Sequence, residues 1–308
     1  MLNTTIAGLN LKSPIILASG ILGVSHSSMK RIIDMGAGAI TTKSIGPRPR
    51  KGYKNPSIIE LYPGTFINSV GLANPGIDYF IEEIKKIKNY KFPLIVSIFG
   101  DSTESYIDVA KKAEEAGADG IEINISCPHA EVSSIGIDEN LTYSTVNSLK
   151  KEIRAPLFVK LNPNVTDITK IAIAAENGGA DAVVAINTLA AMKIDIHTKR
   201  PLLSHGSGGL SGEAIHPIAV KKVYDLYKAL KIPIIGCGGI SSWQDIVEFV
   251  LAGASAVQLG TILYKGIEII KDLVLGLEQF LEQNSYQSLN DLRGLAHDFE
   301  TQEVPDFA

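Results

Sequence analysis

The sequence has few cysteines, and it lacks both a long apolar run and a recognisable secretory leader. Its two cysteines, Cys127 and Cys237, form no CxxC pair, and an iron–sulfur cluster needs about four thiolate ligands. No apolar stretch approaches the roughly 20 residues that span a bilayer. We therefore expect a cytoplasmic protein of a reducing compartment, with no membrane segment and no cluster of its own.

The sequence also lacks an excess of positive charge. Its 29 Lys and Arg residues face 33 Asp and Glu residues, for a formal net charge of −4, whereas a nucleic-acid groove needs clustered cations. One basic stretch, 43–54, is short, and we interpret it as an anion-facing or solvated loop. The six histidines are scattered and show no ligand spacing. We therefore expect no nucleic-acid partner and no metal site.

What the chain does have is eight short apolar runs with two alternating kinds of opening. An isolated proline opens every other run, and a Gly-Ala pair comes just before each of the rest. The runs are 14–19, 39–43, 93–97, 120–124, 156–160, 182–187, 233–239 and 256–260.

The two openings have separate physical causes. Glycine suits the left-handed C-cap of a helix, and proline stops a helix and tolerates the first position of a strand. A helix-period stretch follows nearly every run, and this alternation predicts parallel strands. Eight units predict an α/β fold, a TIM (β/α)8 barrel, as a single domain over residues 1–308. An open doubly wound sheet is the alternative.

The chain exceeds the roughly 250 residues of a plain barrel. Two stretches, 44–75 and 188–211, leave the ends of the second and sixth runs. We expect these insertions to cover the face of the barrel at the carboxyl ends of its strands. The acidic residues 297–308 show no apolar period and predict a loose tail.

Polar residues and glycines end the predicted strands, where such barrels carry out chemistry. Glycines at 238–239 and 260 follow the seventh and eighth strands, which is the usual phosphate site of this fold. No GxGxxG follows a strand, so a mononucleotide such as FMN fits better than FAD or NAD. The complete set of strand ends is Ser19, Lys43, Ser97, Asn124, Lys160, Asn187, Gly238, Gly239, Gly260 and Thr261.

Several reactive side chains lie on this face. Cys127 follows the fourth strand, where a thiol would face the ligand, whereas Cys237 falls inside a strand and is interpreted as structural. Lys43 and Lys160 would stabilise the negative charge of a reduced flavin, and Schiff-base formation is the rival role. Amides suited to a flat substrate with imide and carboxylate groups occur at Asn68, Asn124 and Asn187.

Together these residues resemble the dihydroorotate dehydrogenase family, over a span from about residue 8 to the last barrel helix. The resemblance implies a barrel that binds one FMN per chain and oxidises (S)-dihydroorotate to orotate in pyrimidine biosynthesis. The stretches that carry it are ASG at 18–20, TTKS at 41–44, NSVGLANPG at 68–76, EINISCP at 122–128, VKLNPNVTD at 159–167, INTL at 186–189, GGLSGEAIHPIA at 208–219, GCGGI at 236–240 and GTILY at 260–264.

The resemblance also implies residue roles by position. Cys127 corresponds to the catalytic base, which takes the C5 proton while a hydride passes from C6 to flavin N5. The implied substrate-binding residues are Lys43, Asn68, Ser69, Val70, Gly71, Leu72, Asn124, Asn187 and Thr188. The implied FMN-binding residues are Ser19, Lys43, Ser44, Ser97, Asn124, Lys160, Ile186, Gly212, Gly238, Gly239, Gly260 and Thr261.

Two positions depart from the family pattern. His129 stands where an amide is usual two residues after the base, and Ser97 replaces the asparagine that usually ends the third strand. Both changes bear on affinity and pH profile rather than on the reaction type.

Cysteine as the base is typical of the soluble classes, and the motifs NVTD and SGEAIHP resemble those of the NAD-linked class 1B. That class implies a homodimer of this chain, assembled into a heterotetramer with a subunit that holds FAD and an iron–sulfur cluster. The fumarate-linked class is the main alternative. Less favoured alternatives are a tRNA dihydrouridine synthase, a lysine Schiff-base aldolase and a non-catalytic flavin carrier.

Overall fold

A computed structural model describes residues 1–125 and 135–298 of the chain. The strands are β1 (Thr4–Ile6), β2 (Leu9–Leu11), β3 (Ile15–Leu17), β4 (Ala39–Thr41), β5 (Ile58–Tyr62), β6 (Thr65–Asn68), β7 (Leu94–Ile98), β8 (Gly120–Asn124), β9 (Leu157–Lys160), β10 (Ala182–Ala185), β11 (Leu189–Ala191), β12 (Ile194–Asp195), β13 (Arg200–Pro201), β14 (Gly208–Gly212), β15 (Ile234–Cys237) and β16 (Ala256–Leu259). The α-helices are α1 (His26–Asp34), α2 (Ile77–Lys88), α3 (Thr103–Ala116), α4 (Glu139–Glu152), α5 (Ile168–Asn177), α6 (His216–Ala229), α7 (Trp243–Leu251) and α8 (Ile269–Gln283).

Eight of these strands close into a parallel barrel. Its order is β3-β4-β7-β8-β9-β10-β15-β16, and β16 pairs with β3 to complete the circle. Each barrel strand falls on one of the eight runs found in the sequence, and a helix follows each strand on the outside. The prediction of a TIM (β/α)8 barrel is therefore confirmed.

The Gly-Ala openings have the backbone conformation that was expected of them. The four glycines, Gly36, Gly117, Gly179 and Gly253, have φ angles of +106°, +110°, +100° and +119°. L-residues with a Cβ rarely adopt such angles, so glycine lets each helix stop and the chain turn into the next strand. The helices before the proline-led runs also end before the run begins, as α4 does at Glu152, four residues before Pro156.

Apolar side chains fill the barrel toward the amino-terminal ends of its strands. Space for a ligand is therefore left at the carboxyl ends of the strands. One buried cluster lies between the strands and the helices, and a second fills the barrel interior. The antiparallel hairpin β1–β2 contributes Ile6 and Leu11 to the interior cluster and closes the amino-terminal end. Phe158, which is 1% exposed, is the largest side chain inside.

The two predicted insertions together form one antiparallel sheet, which we call the roof sheet. Its order is β11-β14-β6-β5, so two strands of the second insertion meet two strands of the first at the β14–β6 pair in its centre. β14 pairs with β6 from Gly209 opposite Asn68 to Gly212 opposite Thr65. Both insertions follow the carboxyl ends of their barrel strands, as predicted.

The first two residues of the predicted tail are ordered against the barrel. Leu295–Asp298 forms a short 3-10 helix, and the His297 ring stacks on Tyr224 with centroids 3.8 Å apart. Residues 299–308 lie outside the described residues, and the single-domain assignment stays a prediction. None of the helices in residues 1–125 and 135–298 has the length and apolar character that crossing a bilayer requires.

Candidate active site

A cavity of about 960 Å³ opens between the carboxyl ends of the barrel strands and the roof sheet. This volume lies at the upper end of the range for small-molecule and cofactor sites. Every predicted substrate- and cofactor-binding residue except Ser97, which is described below, lines it. The predicted base Cys127 lies outside the described residues, together with His129.

A chain of hydrogen bonds joins the polar side chains along one wall of the cavity. The Asn187 amide donates to Asn124 Oδ1 at 3.2 Å, and the Asn124 amide donates to Ser44 Oγ at 3.4 Å. Asn187 Oδ1 accepts from the Thr188 backbone amide at 2.8 Å. Ser97 is fully buried and shares a 3.0 Å hydrogen bond with Ser44. The structure thus places Ser97 behind Ser44 and not on the cavity wall.

The loop that follows β6 is held in an unusual backbone conformation. Gly71 and Leu72 have φ angles of +75° and +55°, and a positive φ is uncommon for leucine. Asn74 fixes this loop: its amide donates to Leu72 O at 2.8 Å, and its carbonyl oxygen accepts from two backbone amides. Asn68 just before the loop donates to Gly209 O at 3.3 Å and ties it to the roof sheet. Strain held by several bonds is typical of ligand-binding loops.

Lys43 supplies a positive charge to the cavity. Its side chain follows β4 and is partly buried, and this burial lowers the pKa of its ammonium group. Desolvation is the sole cause of the shift, and no carboxylate within the described residues offsets it. An anionic group on a ligand would stabilise the charged form of Lys43.

Glycines form the cavity wall beyond β15 and β16. Gly239 has φ +72°, and a Cβ there would lie 2.5 Å from the backbone nitrogen of His216. At Gly238, with φ +136°, a Cβ would lie 2.9 Å from the Ala219 methyl group. The backbone can approach a ligand closely where these side chains are missing, as phosphate sites at this end of a barrel require.

Lys160, at the end of β9, is the most buried of the predicted cofactor residues that carry a charge. It is 4% exposed, and its Nζ donates to Gln258 Oε1 at 2.7 Å. Both side chains line the floor of the cavity. This hydrogen bond therefore fixes the position of the Lys160 ammonium relative to a ligand in the cavity.

Three groups with metal-ligand chemistry do meet near Gly239, although no spacing in the sequence indicated them. His216, Asp245 and Glu248 place one ligand atom each within 4.8 Å of the others. His216 Nε2 is already bonded to Glu248 at 2.8 Å, and Asp245 Oδ2 accepts backbone amides at the start of α7. The three side chains thus have protein partners and serve the junction of α6 and α7.

A profile for dihydroorotate dehydrogenase matches residues 1–281, and three similar proteins share 47–48% identity with this chain. The Methanosarcina acetivorans protein is 48% identical over 297 residues, which is 95% of each chain. The Pyrococcus horikoshii protein is 48% identical over 96% of this chain and 98% of its own. The Methanocaldococcus jannaschii protein is 47% identical over 97% of this chain and 99% of its own. All three bear the name dihydroorotate dehydrogenase B (NAD(+)), catalytic subunit.

This chain belongs to the dihydroorotate dehydrogenase family. The resemblance read from the sequence motifs is thereby confirmed at the level of the family. The roles of individual residues in binding substrate or cofactor stay predictions.

Several cavity residues of this dihydroorotate dehydrogenase family member were missed from the sequence. Cys237, interpreted as structural, ends β15 and lines the cavity. Tyr53 and His205, one from each insertion, stack at the cavity with ring centroids 3.7 Å apart. The alternation of side chains along a strand would have indicated Gln258, because it lies two residues before Gly260. No local pattern pairs Tyr53 with His205, since they meet only when the insertions join.

Proposed function

We propose that this chain is a catalytic subunit that oxidises (S)-dihydroorotate to orotate with one FMN bound in the cavity. The observation that carries the proposal is the division of that single cavity. A partly desolvated ammonium and a row of linked amides lie on one side, and bare glycine turns lie on the other. The first side suits an anionic substrate with an imide group, and the second suits the phosphate of a cofactor.

The described residues fit FMN. Glycines 238 and 239 offer close backbone approach for its phosphate, and Lys160 offers a buried cation for the part of the ring system that gains negative charge. Bound FMN would supply the acceptor for the substrate hydride. Ser19, Ser44 and Ile186, three more of the predicted FMN contacts, also line the cavity.

On the substrate side, we assign Lys43 to the carboxylate of dihydroorotate. The substrate ring would be oriented by hydrogen bonds to the side-chain amides of Asn68, Asn124 and Asn187, which offer both donors and acceptors. A hydrogen bond between Asn124 and Asn187 holds these two side chains in place. Cys127 is proposed to take the C5 proton as general base. Its thiol has an ordinary pKa of about 8.5, which a nearby cation would bring toward neutrality.

We further propose that the chain works in the cytoplasm as a homodimer joined to a separate electron-transfer subunit. The similar proteins are named as NAD(+)-linked catalytic subunits, and a two-cysteine chain cannot ligate an iron–sulfur cluster. FAD and the cluster would therefore reside on the partner.

Anaerobic mixing with dihydroorotate tests the proposed reaction. We expect a yellow protein whose flavin absorbance bleaches on mixing, and reoxidation by added acceptors then identifies the class. Bleaching followed by fast reoxidation with fumarate would assign the fumarate-linked class instead. A fully folded but colourless protein, or a flavin that dihydroorotate does not bleach, would contradict the proposal.

A further inference from the structure

A layer of polar side chains crosses the barrel at the floor of the cavity, where two of its members line the cavity. Strand residues alternate in direction, and each of the four members lies two residues before a residue that lines the cavity. All are at most 4% exposed. The members of this layer are Thr41, Glu122, Lys160 and Gln258.

Gln258 is the centre of the layer and has only one workable orientation. Its Oε1 accepts from Lys160 Nζ at 2.7 Å, and its Nε2 donates to Glu122 Oε2 at 2.6 Å and to Thr41 Oγ1 at 3.1 Å. A lysine offers only donors and a carboxylate only acceptors, so a flipped amide would face both with the wrong atoms. Gln258 therefore links the ammonium to the carboxylate.

Glu122 is an unexpected residue in this position. It is fully buried, and its second oxygen, Oε1, has no hydrogen-bond partner within the described residues. In the described part of the chain, Glu122 and Lys160 are the only charged residues classed as buried. Burying a charge is costly unless an opposite charge compensates it, and each of these two is the other's counter-charge.

We propose that Glu122 is a positioning residue, which acts through Gln258 to hold Lys160 toward the cavity and to set the reduction potential of a flavin bound there. This inference rests on the proposed function. Lys160 has three N–H donors and spends one on Gln258. The linked pair has a net charge of zero, so Glu122 moderates the stabilisation that Lys160 gives to the negative charge of a reduced flavin.

The decisive experiment is a redox titration of bound FMN in the purified protein and two variants. Glu122→Gln keeps the size and an acceptor for Gln258 but removes the negative charge. We expect the midpoint potential to rise by about 30 mV or more, which is a tenfold change for a two-electron couple. Thr41→Val is the matched control, because it removes the other acceptor of the same amide without changing charge. Its potential should equal that of the parent protein.

Other outcomes overturn the inference in distinct ways. A smaller rise, no change or a fall in Glu122→Gln means that Glu122 has only a structural role, even if thermal stability drops. An equal rise in Thr41→Val would assign the effect to packing. If Glu122→Gln does not fold, Glu122→Met removes the same charge with an apolar end and must meet the same threshold. A parent protein without flavin contradicts the proposed function itself, and not only this inference.

Discussion

At the scale of single residues, Lys43 combines a positive charge with partial burial in the cavity. We expect Lys43→Met to weaken orotate binding by about 10- to 100-fold, because a hydrogen bond to a charged group contributes about 1.5–3 kcal/mol. Flavin spectral changes on titration with orotate would measure this. The exposed Lys85 on α2, which bonds only Glu82 among the described residues, gives the control variant Lys85→Met with parent affinity. If both variants bound orotate with equal affinity, Lys43 would not contribute to orotate binding.

The lowered pKa of Lys43 also predicts a pH dependence of binding. Burial favours the neutral amine, whereas a ligand carboxylate favours the ammonium, so binding raises the pKa and takes up a proton. Orotate affinity should therefore fall as pH rises through the lowered pKa, below the usual lysine value of about 10.4. Dissociation constants measured between neutral and alkaline pH would show the fall, and Lys43→Met should flatten it. An affinity that increases with pH would contradict the sign.

Cys127 gives a prediction about rate rather than affinity. Loss of a general base should slow flavin reduction by dihydroorotate by roughly 10²-fold or more in Cys127→Ala. Flavin content and orotate affinity should persist, because the predicted FMN and substrate contacts lie elsewhere. Stopped-flow absorbance under anaerobic conditions measures the rate. Unchanged reduction would instead support proton removal by another group.

At the scale of elements, the turn between β15 and α7 depends on missing side chains. Gly239→Ala would force a Cβ to within 2.5 Å of the His216 backbone nitrogen, so we expect loss of bound FMN and a clear drop in melting temperature. Gly8→Ala is the matched control: its φ of +82° is similar, and no atom lies within 4 Å of the added Cβ. That variant should lose only about 1 kcal/mol and retain its flavin. Equal flavin content in both variants would contradict a role for the bare turn.

The barrel elements were predictable because each has a local signal, and the roof sheet was not. Pro93 marks the start of the run that becomes β7, and Gly117 has the left-handed φ that its position required. By contrast, β14 spans the sequence GGLSG, which has little strand propensity of its own. It forms because β6, about 140 residues earlier in the chain, offers backbone partners, and no local pattern encodes such a pairing.

Within the polar layer, Lys160 was found from the sequence, but Glu122 and Gln258 were missed. Asn124 and Gly260 were found because they end strands. Glu122 and Gln258 lie two residues earlier, where an inward polar side chain in an apolar run is a signal in itself. Ser97 shows the limit of this logic, because its direction was inferable but its short side chain ends behind Ser44.

At the scale of the whole molecule, the proposed partner subunit predicts a split between the two half-reactions. The purified chain alone should be reduced by dihydroorotate yet transfer electrons to NAD only poorly, since it has no second flavin site indicated by its motifs. Adding the electron-transfer subunit should restore NAD reduction. Steady-state assays with and without it measure the difference. Efficient NAD reduction by the homogeneous single chain would contradict a division of labour.

Because β6 pairs with β14, a change in the length of one insertion affects the other. If only one insertion were shortened, the strand of the other would lose its hydrogen-bonding partner. Its backbone amide and carbonyl groups would then be unpaired, and such exposed strand edges promote aggregation. A one-residue slip between them would turn every side chain of the moved strand to the opposite face. Relatives in which the roof sheet differs should therefore differ in both insertions, so that a change in the length of one is matched by a change in the length of the other.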